Sequence, residues 1–114
     1  MDFFQYRGAD LYCEDLSVAE LAATYGTPLW IYSKRTLQHH LTQIQKAFAE
    51  VDPVICYSVK ANPNLSLLKL LAKLGAGFDV VSGGELHRVA RAARSIARNE
   101  PSTRQMATPD SSGW

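Results

Sequence analysis

The chain has little of what marks a secreted, metal-binding or nucleic-acid-binding protein. Among 114 residues there are only two cysteines. Cys13 and Cys56 lie far apart, without a Cys-x-x-Cys spacing or a companion histidine pattern. Neither a disulfide framework nor a zinc site is expected, and two free thiols in a reducing compartment follow. Charge of either sign is also in short supply. Twelve Lys and Arg against eleven Asp and Glu leave a net +1, too weak a field to draw nucleic acid or an anionic membrane. No apolar run approaches the length that spans a bilayer. Met1-Asp2-Phe3-Phe4-Gln5-Tyr6-Arg7 lacks the basic start and apolar core of a signal peptide. The expectation is a soluble, cytoplasmic chain with neither nucleic-acid nor membrane partner. Its apolar fraction of 46% is ordinary for a globular protein, and its length suits one small domain.

What is present centres on Val54-Ile55-Cys56-Tyr57-Ser58-Val59-Lys60-Ala61-Asn62-Pro63-Asn64. Residues 54–59 are rich in β-branched and aromatic side chains and predict a buried strand. Lys60 follows at its C-terminal end, and Asn62-Pro63-Asn64 breaks the strand before a leucine-rich helical pattern begins at Leu65. Apolar walls around a lysine disfavour the ammonium and prepare the amine to attack a carbonyl. The competing reading is a lysine that snorkels to the surface at a strand end.

Around that stretch the sequence alternates strands and helices. Residues 1–12 have no clear period and suit strand or coil. Ser17 and Glu20 form a capping box for a short helix that Gly26 stops. Leu29-Trp30-Ile31-Tyr32 predicts a strand. Ser33 caps a helix whose apolar residues are Leu37, Leu41, Ile44 and Phe48, ending near Glu50. His39 and His40 sit side by side in it, point in different directions and are expected to be solvated. Leu65, Leu67, Leu68, Leu70, Leu71 and Leu74 predict a strongly apolar helix ended by Gly75 and Gly77, with a strand over residues 78–81. Strand, helix and strand with tight connections predict a parallel sheet and an α/β fold. Ser82-Gly83-Gly84-Glu85 then opens a third long helix. Leu86, Val89, Ala90, Ala93, Ile96 and Ala97 are expected on its packed face, with Arg88, Arg91, Arg94 and Arg98 as a stripe on the other. That stripe reads as a solvated face or an anion-binding surface. The double glycine reads as a tight turn or a phosphate cradle. From Asn99 the text turns polar and aperiodic, and residues 99–114 are expected to be disordered.

Three stretches together resemble the diaminopimelate decarboxylases. They are Gly26-Thr27-Pro28-Leu29-Trp30-Ile31-Tyr32-Ser33, Tyr57-Ser58-Val59-Lys60-Ala61-Asn62, and Gly75-Ala76-Gly77-Phe78-Asp79-Val80-Val81-Ser82-Gly83-Gly84-Glu85-Leu86. The likeness covers residues 11–91. It implies the N-terminal part of a pyridoxal-phosphate-binding (β/α)₈ barrel of alanine-racemase type, incomplete in this chain. On that likeness residues 1–33 contribute to a second, β-rich domain, residues 34–98 are partial barrel, and 99–114 are a divergent tail. Lys60 would carry pyridoxal 5'-phosphate, with Asp79 and Glu85 at the same barrel mouth tuning it. The implied reaction turns meso-diaminopimelate into L-lysine and carbon dioxide. The implied partners are an amino-acid substrate and a second copy of the chain.

After Arg91 the sequence departs from that pattern, as a shifted reading frame or truncated gene would make it. A full barrel needs roughly 250 residues, so the later cofactor and substrate residues of the family have no counterpart here. The isolated chain is therefore expected to be inactive. Its open sheet edges and uncovered apolar helix favour association with other chains. The alternatives are a small non-catalytic pyridoxal-phosphate-binding or interaction module, or part of an ornithine- or arginine-type decarboxylase.

Overall fold

Where the sequence shows no period, the chain folds into a small antiparallel meander. The structure, a computed structural model, describes residues 2–98, and the expected disorder of 99–114 lies outside them. Strands β1 (Phe4–Arg7), β2 (Asp10–Cys13) and β3 (Leu16–Ser17) pair in sequence order. Helix α1 (Val18–Tyr25) starts as its capping pattern predicts, with Ser17 Oγ accepting from the Glu20 amide at 3.4 Å.

The strand expected at residues 29–32 does not form. This segment pairs with no other strand, and Trp30 is 83% exposed. An extended apolar run becomes a strand only when an edge is available to hydrogen-bond it. Among the described residues this segment pairs with the edge of neither sheet. Helix α2 (Lys34–Ala47) follows, capped by Ser33, whose Oγ accepts from the Thr36 amide at 3.0 Å. It ends short of Glu50, and a one-turn 3-10 helix spans Ala49–Val51. Only Leu41 of its apolar stripe is buried and Leu37 half-buried, while Ile44 and Phe48 are about half exposed. The stripe is real, but the chain covers only its N-terminal half.

Then comes the parallel unit: β4 (Cys56–Ser58), a 3-10 turn over Val59–Ala61, α3 (Leu65–Lys73), β5 (Gly77–Asp79) and α4 (Gly83–Ala97). β4 and β5 lie parallel with Cys56 beside Gly77, Tyr57 beside Phe78 and Ser58 beside Asp79. The fold class is α/β, as the strand–helix–strand pattern predicts. β4 is shorter than expected, because Val54 is 83% exposed and unpaired and the chain tightens at Val59.

Alternation along these strands sorts the side chains into two faces. Ile55, Tyr57, Val59, Ala76, Phe78 and Val80 turn toward the helices and join two apolar clusters. One cluster is built on Leu41, Leu67, Leu71 and Ala76, the other on Val59, Leu68 and Ala92. Cys56, Ser58, Gly77 and Asp79 belong to the opposite face. There the strands press close, since a Cβ on Gly77 would stand 2.9 Å from Cys56 Sγ.

The packed face of α4 includes Val89 as expected but centres on Ala92, which the expected set left out. Ala92 is its one buried residue, with Val89 beside it, whereas Leu86 is 57% exposed. The small Ala92 lets α4 lie against Leu68.

The turn from α3 into β5 depends on Gly75, whose φ is +85°. An L side chain is strained there, so Gly75→Ala is expected to lower stability by about 1 kcal/mol. Thermal denaturation followed by circular dichroism would register this as a melting temperature lowered by about 4–8 °C. An unchanged melting temperature would contradict the conformational argument.

Candidate functional site

Three features converge on the C-terminal edge of the parallel pair: the lysine that follows β4, the last residue of β5, and the first turn of α4. Lys60 is not on the strand itself. It lies in the 3-10 turn two residues beyond Ser58, the last paired residue of β4, and its side chain is exposed. The apolar enclosure expected around it is absent. Its greasy neighbours Tyr57 and Val59 point to the helix side, and Val59 is fully buried there. Among the described residues there are only two parallel strands, and no wall closes over the other face. The amine is therefore open to a soluble reagent.

Asp79 ends β5 directly beside Ser58, and Ser58 Oγ donates to Asp79 Oδ2 at 3.0 Å. This bond joins the two strands at the edge where Lys60 emerges. Glu85 sits in the first turn of α4 and reaches back to accept from the Val81 amide at 2.8 Å. Ser82 Oγ accepts from the Glu85 amide at 3.2 Å, and the carboxylate's return bond goes to the residue before the cap, Val81, instead of to Ser82 itself. A carboxylate at that end of a helix also gains from its dipole. Among the described residues no ion pair joins Lys60 to either acid. All three sequence-predicted residues thus share one edge, but the acids are engaged with their own strand and helix.

The loop after Lys60 is held by residues that sequence reasoning passed over. Tyr57 OH donates to Asn62 O at 3.3 Å, and Asn62 Oδ1 accepts from the Asn64 amide at 3.1 Å. Asn64 Oδ1 in turn caps α3, accepting from the Ser66 and Leu67 amides at 2.9 and 3.3 Å. Arg88 of α4 closes the ring by donating to Pro63 O at 3.3 Å. The asparagine before a leucine run is a legible cap; the tie from Arg88 has no local signature. Burial of the Tyr57 ring pushes its hydroxyl above the ordinary tyrosine range, against the lowering effect of the bond to Asn62. Tyr57 therefore stays a neutral donor at neutral pH.

Other residues singled out in the sequence behave more plainly. His39 is half-buried, edge-on to Phe3 at 6.2 Å and to His40 at 5.8 Å, rather than fully solvated. No group of three or more metal-ligating side chains occurs among the described residues. Cys13 is buried and Cys56 exposed, both as free thiols. No helix among the described residues is long and apolar enough to cross a membrane.

Comparison with known proteins bears on this edge. The family model for the pyridoxal-binding domain of pyridoxal-dependent decarboxylases matches residues 34–99, extending the likeness past Arg91, where the motifs alone ended it. The diaminopimelate decarboxylase of Haemophilus influenzae is 48% identical over 89 residues, covering 78% of this chain and 21% of that protein. The Neisseria meningitidis serogroup A enzyme of the same name is 50% identical over 88 residues, covering 77% and 22%. Among solved structures, diaminopimelate decarboxylase from M. jannaschii in complex with L-lysine superposes with a TM-score of 0.77 at 33% identity. That superposition covers 81% of this chain and 23% of that one. A protein of Aquifex aeolicus superposes with a TM-score of 0.75 at 47% identity, over 80% and 22%. The chain thus spans about a fifth of the length of these relatives, and the α/β unit described above corresponds to part of their barrel. From α2 through α4 the sequence and the backbone agree with one another, and the chain belongs to the pyridoxal-dependent decarboxylase family, within its pyridoxal-binding domain.

Proposed function

We propose that the chain is the N-terminal part of a diaminopimelate decarboxylase, and that Lys60 is the residue to which its pyridoxal phosphate attaches. The enzyme so formed would release carbon dioxide from meso-diaminopimelate and yield L-lysine. The observation that carries this reading is the place of Lys60. It follows the first strand of a parallel pair, on the same edge as Asp79 and Glu85, inside the stretch the family model matches. The names and identities of the relatives support the substrate class.

The residues present fit the cofactor. Its aldehyde needs an accessible primary amine, and Lys60 is exposed. When bound, pyridoxal phosphate supplies an electron sink for the charge left as a carboxylate departs. The chain's own residues do the positioning. Ser58 and Asp79 hold the strand ends together, and the ring from Tyr57 through Asn62 and Asn64 to Arg88 holds the loop behind the amine. Glu85, turned onto the Val81 amide, keeps the second loop tight and its carboxylate at the edge. Residues 1–33 belong in this reading to a second domain and residues 34–98 to the barrel, in a homodimer located in the cytoplasm. Two parallel strands do not enclose a substrate, so the 114-residue chain alone is expected to release no carbon dioxide.

Treating the chain with pyridoxal phosphate, reducing with borohydride and mapping the labelled peptides tests the assignment. The expected result is label concentrated on Lys60 and lost in Lys60→Ala. Label spread evenly over Lys34, Lys46, Lys69 and Lys73 would overturn it, because indiscriminate amines need no site.

A further inference from the structure

We propose that the basic cleft between α3 and α4 binds a compact polyphosphate anion. This cleft, of about 430 Å³, lies on the helix side of the sheet and shares no residue with the Lys60 edge. It is lined by Lys69, His87, Arg91, Arg94, Ser95 and Arg98. No carboxylate is among them. A second cleft of about 550 Å³ adjoins it through Lys69 and Ser95, adds Lys34 and Lys73, and again has no carboxylate in its lining. The chain as a whole is nearly neutral, so this concentration of one sign is local.

The cations are also uncommitted. Among the described residues the ion pairs engage Arg7 and Arg35 with Glu14 and Asp15, in the N-terminal meander and at the start of α2. None involves α3 or α4. Arg94 Nε donates to Ala90 O at 3.4 Å, which leaves its two terminal nitrogens available. Ser95 commits its hydrogen to Ala92 O at 2.8 Å, so the charged groups rather than the hydroxyl would hold a ligand. Arg94 and Arg98 gain from the carbonyl end of α4, a reason that does not extend to Arg91 or to Lys69 on α3. Arg91, Arg94 and Arg98 stand three and four residues apart, a spacing at which like charges repel. An anion seated among them removes that repulsion and accepts planar, bidentate hydrogen bonds.

The shape selects the ligand class. The cleft is small, and no Phe, Tyr or Trp lines it to stack a base; the one such ring nearby, Tyr32, lines the adjoining cleft. A small multiply charged phosphate fits this better than a nucleic-acid strand.

Calorimetric titration of the full chain with sodium pyrophosphate tests the proposal. Binding is expected, weakening as sodium chloride is raised, with a higher melting temperature in the presence of pyrophosphate. The double variant R91Q/R94Q and, on the other helix, K69Q should each lose affinity, the double variant by at least about tenfold. K46Q, outside the cleft, should bind as the parent does. Equal affinity in R91Q/R94Q and K69Q, equal loss in K46Q, or binding of an oligonucleotide but not of pyrophosphate would each overturn it.

Discussion

Leu68→Ala is expected to abolish cooperative unfolding of the chain. Leu68 has no exposed surface and joins Val59 and Ala92 in the cluster between β4, α3 and α4. Truncating a buried leucine costs about 2–5 kcal/mol, through lost transfer energy and the cavity left behind. A small domain has only about 5–15 kcal/mol of stability in all. Here the reserve is thin, because Leu68 and Val59 are the only large side chains wholly shielded from solvent among the described residues. Trp30, Tyr25, Val54 and Val81 remain mostly exposed and contribute little burial. Thermal melts of Leu68→Ala should therefore show a broad, non-cooperative loss of signal, while Leu68→Met, which keeps the volume, should lose less than about 1.5 kcal/mol. Leu86→Ala, on the uncovered stripe of α4, is expected to stay within about 0.5 kcal/mol of the parent. A melt of Leu68→Ala within 1 kcal/mol of the parent, by the rough scale for surface changes, would refute this account of the core.

Glu14→Ala is expected to loosen the N-terminal meander from α2, at a cost of about 2 kcal/mol. Glu14 occupies the turn between β2 and β3 at φ +57° and is anchored there by its own amide, which donates to Phe3 O at 2.7 Å. Its Oε1 accepts from Ser33 Oγ at 2.9 Å and from the Arg35 amide at 2.8 Å, and Oε2 faces Arg35 Nε at 3.6 Å. A single carboxylate thus satisfies a buried hydroxyl and an open amide at the start of α2. A second tether, from the Phe3 amide to Thr36 Oγ1 at 3.0 Å, lies alongside. Removal of the carboxylate leaves the Ser33 hydroxyl buried without its acceptor.

The same contact makes the junction acid-sensitive. The Arg35 amide has the largest effect and, with the Ser33 hydroxyl and the Arg35 guanidinium, holds the Glu14 carboxyl below its ordinary value of 4.5, against burial, which is second in size, and the Asp15 charge. A carboxyl whose value is depressed in the folded state stabilises the fold above the unfolded value and loses that contribution as pH falls through the folded one. The melting temperature should therefore fall as pH drops below about 4.5, and fall less steeply in Glu14→Gln, which keeps an acceptor and removes the titration. Parallel curves for parent and Glu14→Gln would assign the acid sensitivity to other carboxylates.

Much of this protein was readable before any coordinates. Ser17 and Ser33 cap the helices that follow, as the sequence predicts, and Asn64 and Ser82, read there only as a strand break and a turn, do the same. The leucine run of α3 and the turn at Gly75 delimit the crossover, and the parallel pairing of β4 and β5 follows from it. The family likeness put Lys60, Asp79 and Glu85 at one barrel mouth, and the parallel pairing of β4 and β5, which brings their C-terminal ends to the same side, agrees with it. The misreadings share a physical origin. Residues 29–32 and 54–55 have strand composition, yet strand formation needs a neighbour, and composition says nothing of whether one is present. In α4 the expected face included Val89 but left out Ala92, whose burial depends on its contact with Leu68 of α3.

What the sequence by itself determined are the local matters: where helices begin and stop, which run crosses between the parallel strands, and which lysine follows the first of them. These rest on capping, φ preference and the spacing of apolar side chains, all within a few residues. The tertiary structure alone decided three others: the exposure of Lys60, the seat of Glu14 on α2, and the grouping of Lys69 with Arg91, Arg94 and Arg98. Each depends on groups far apart in the chain, whose approach is set by the packing of whole elements rather than by their own neighbours.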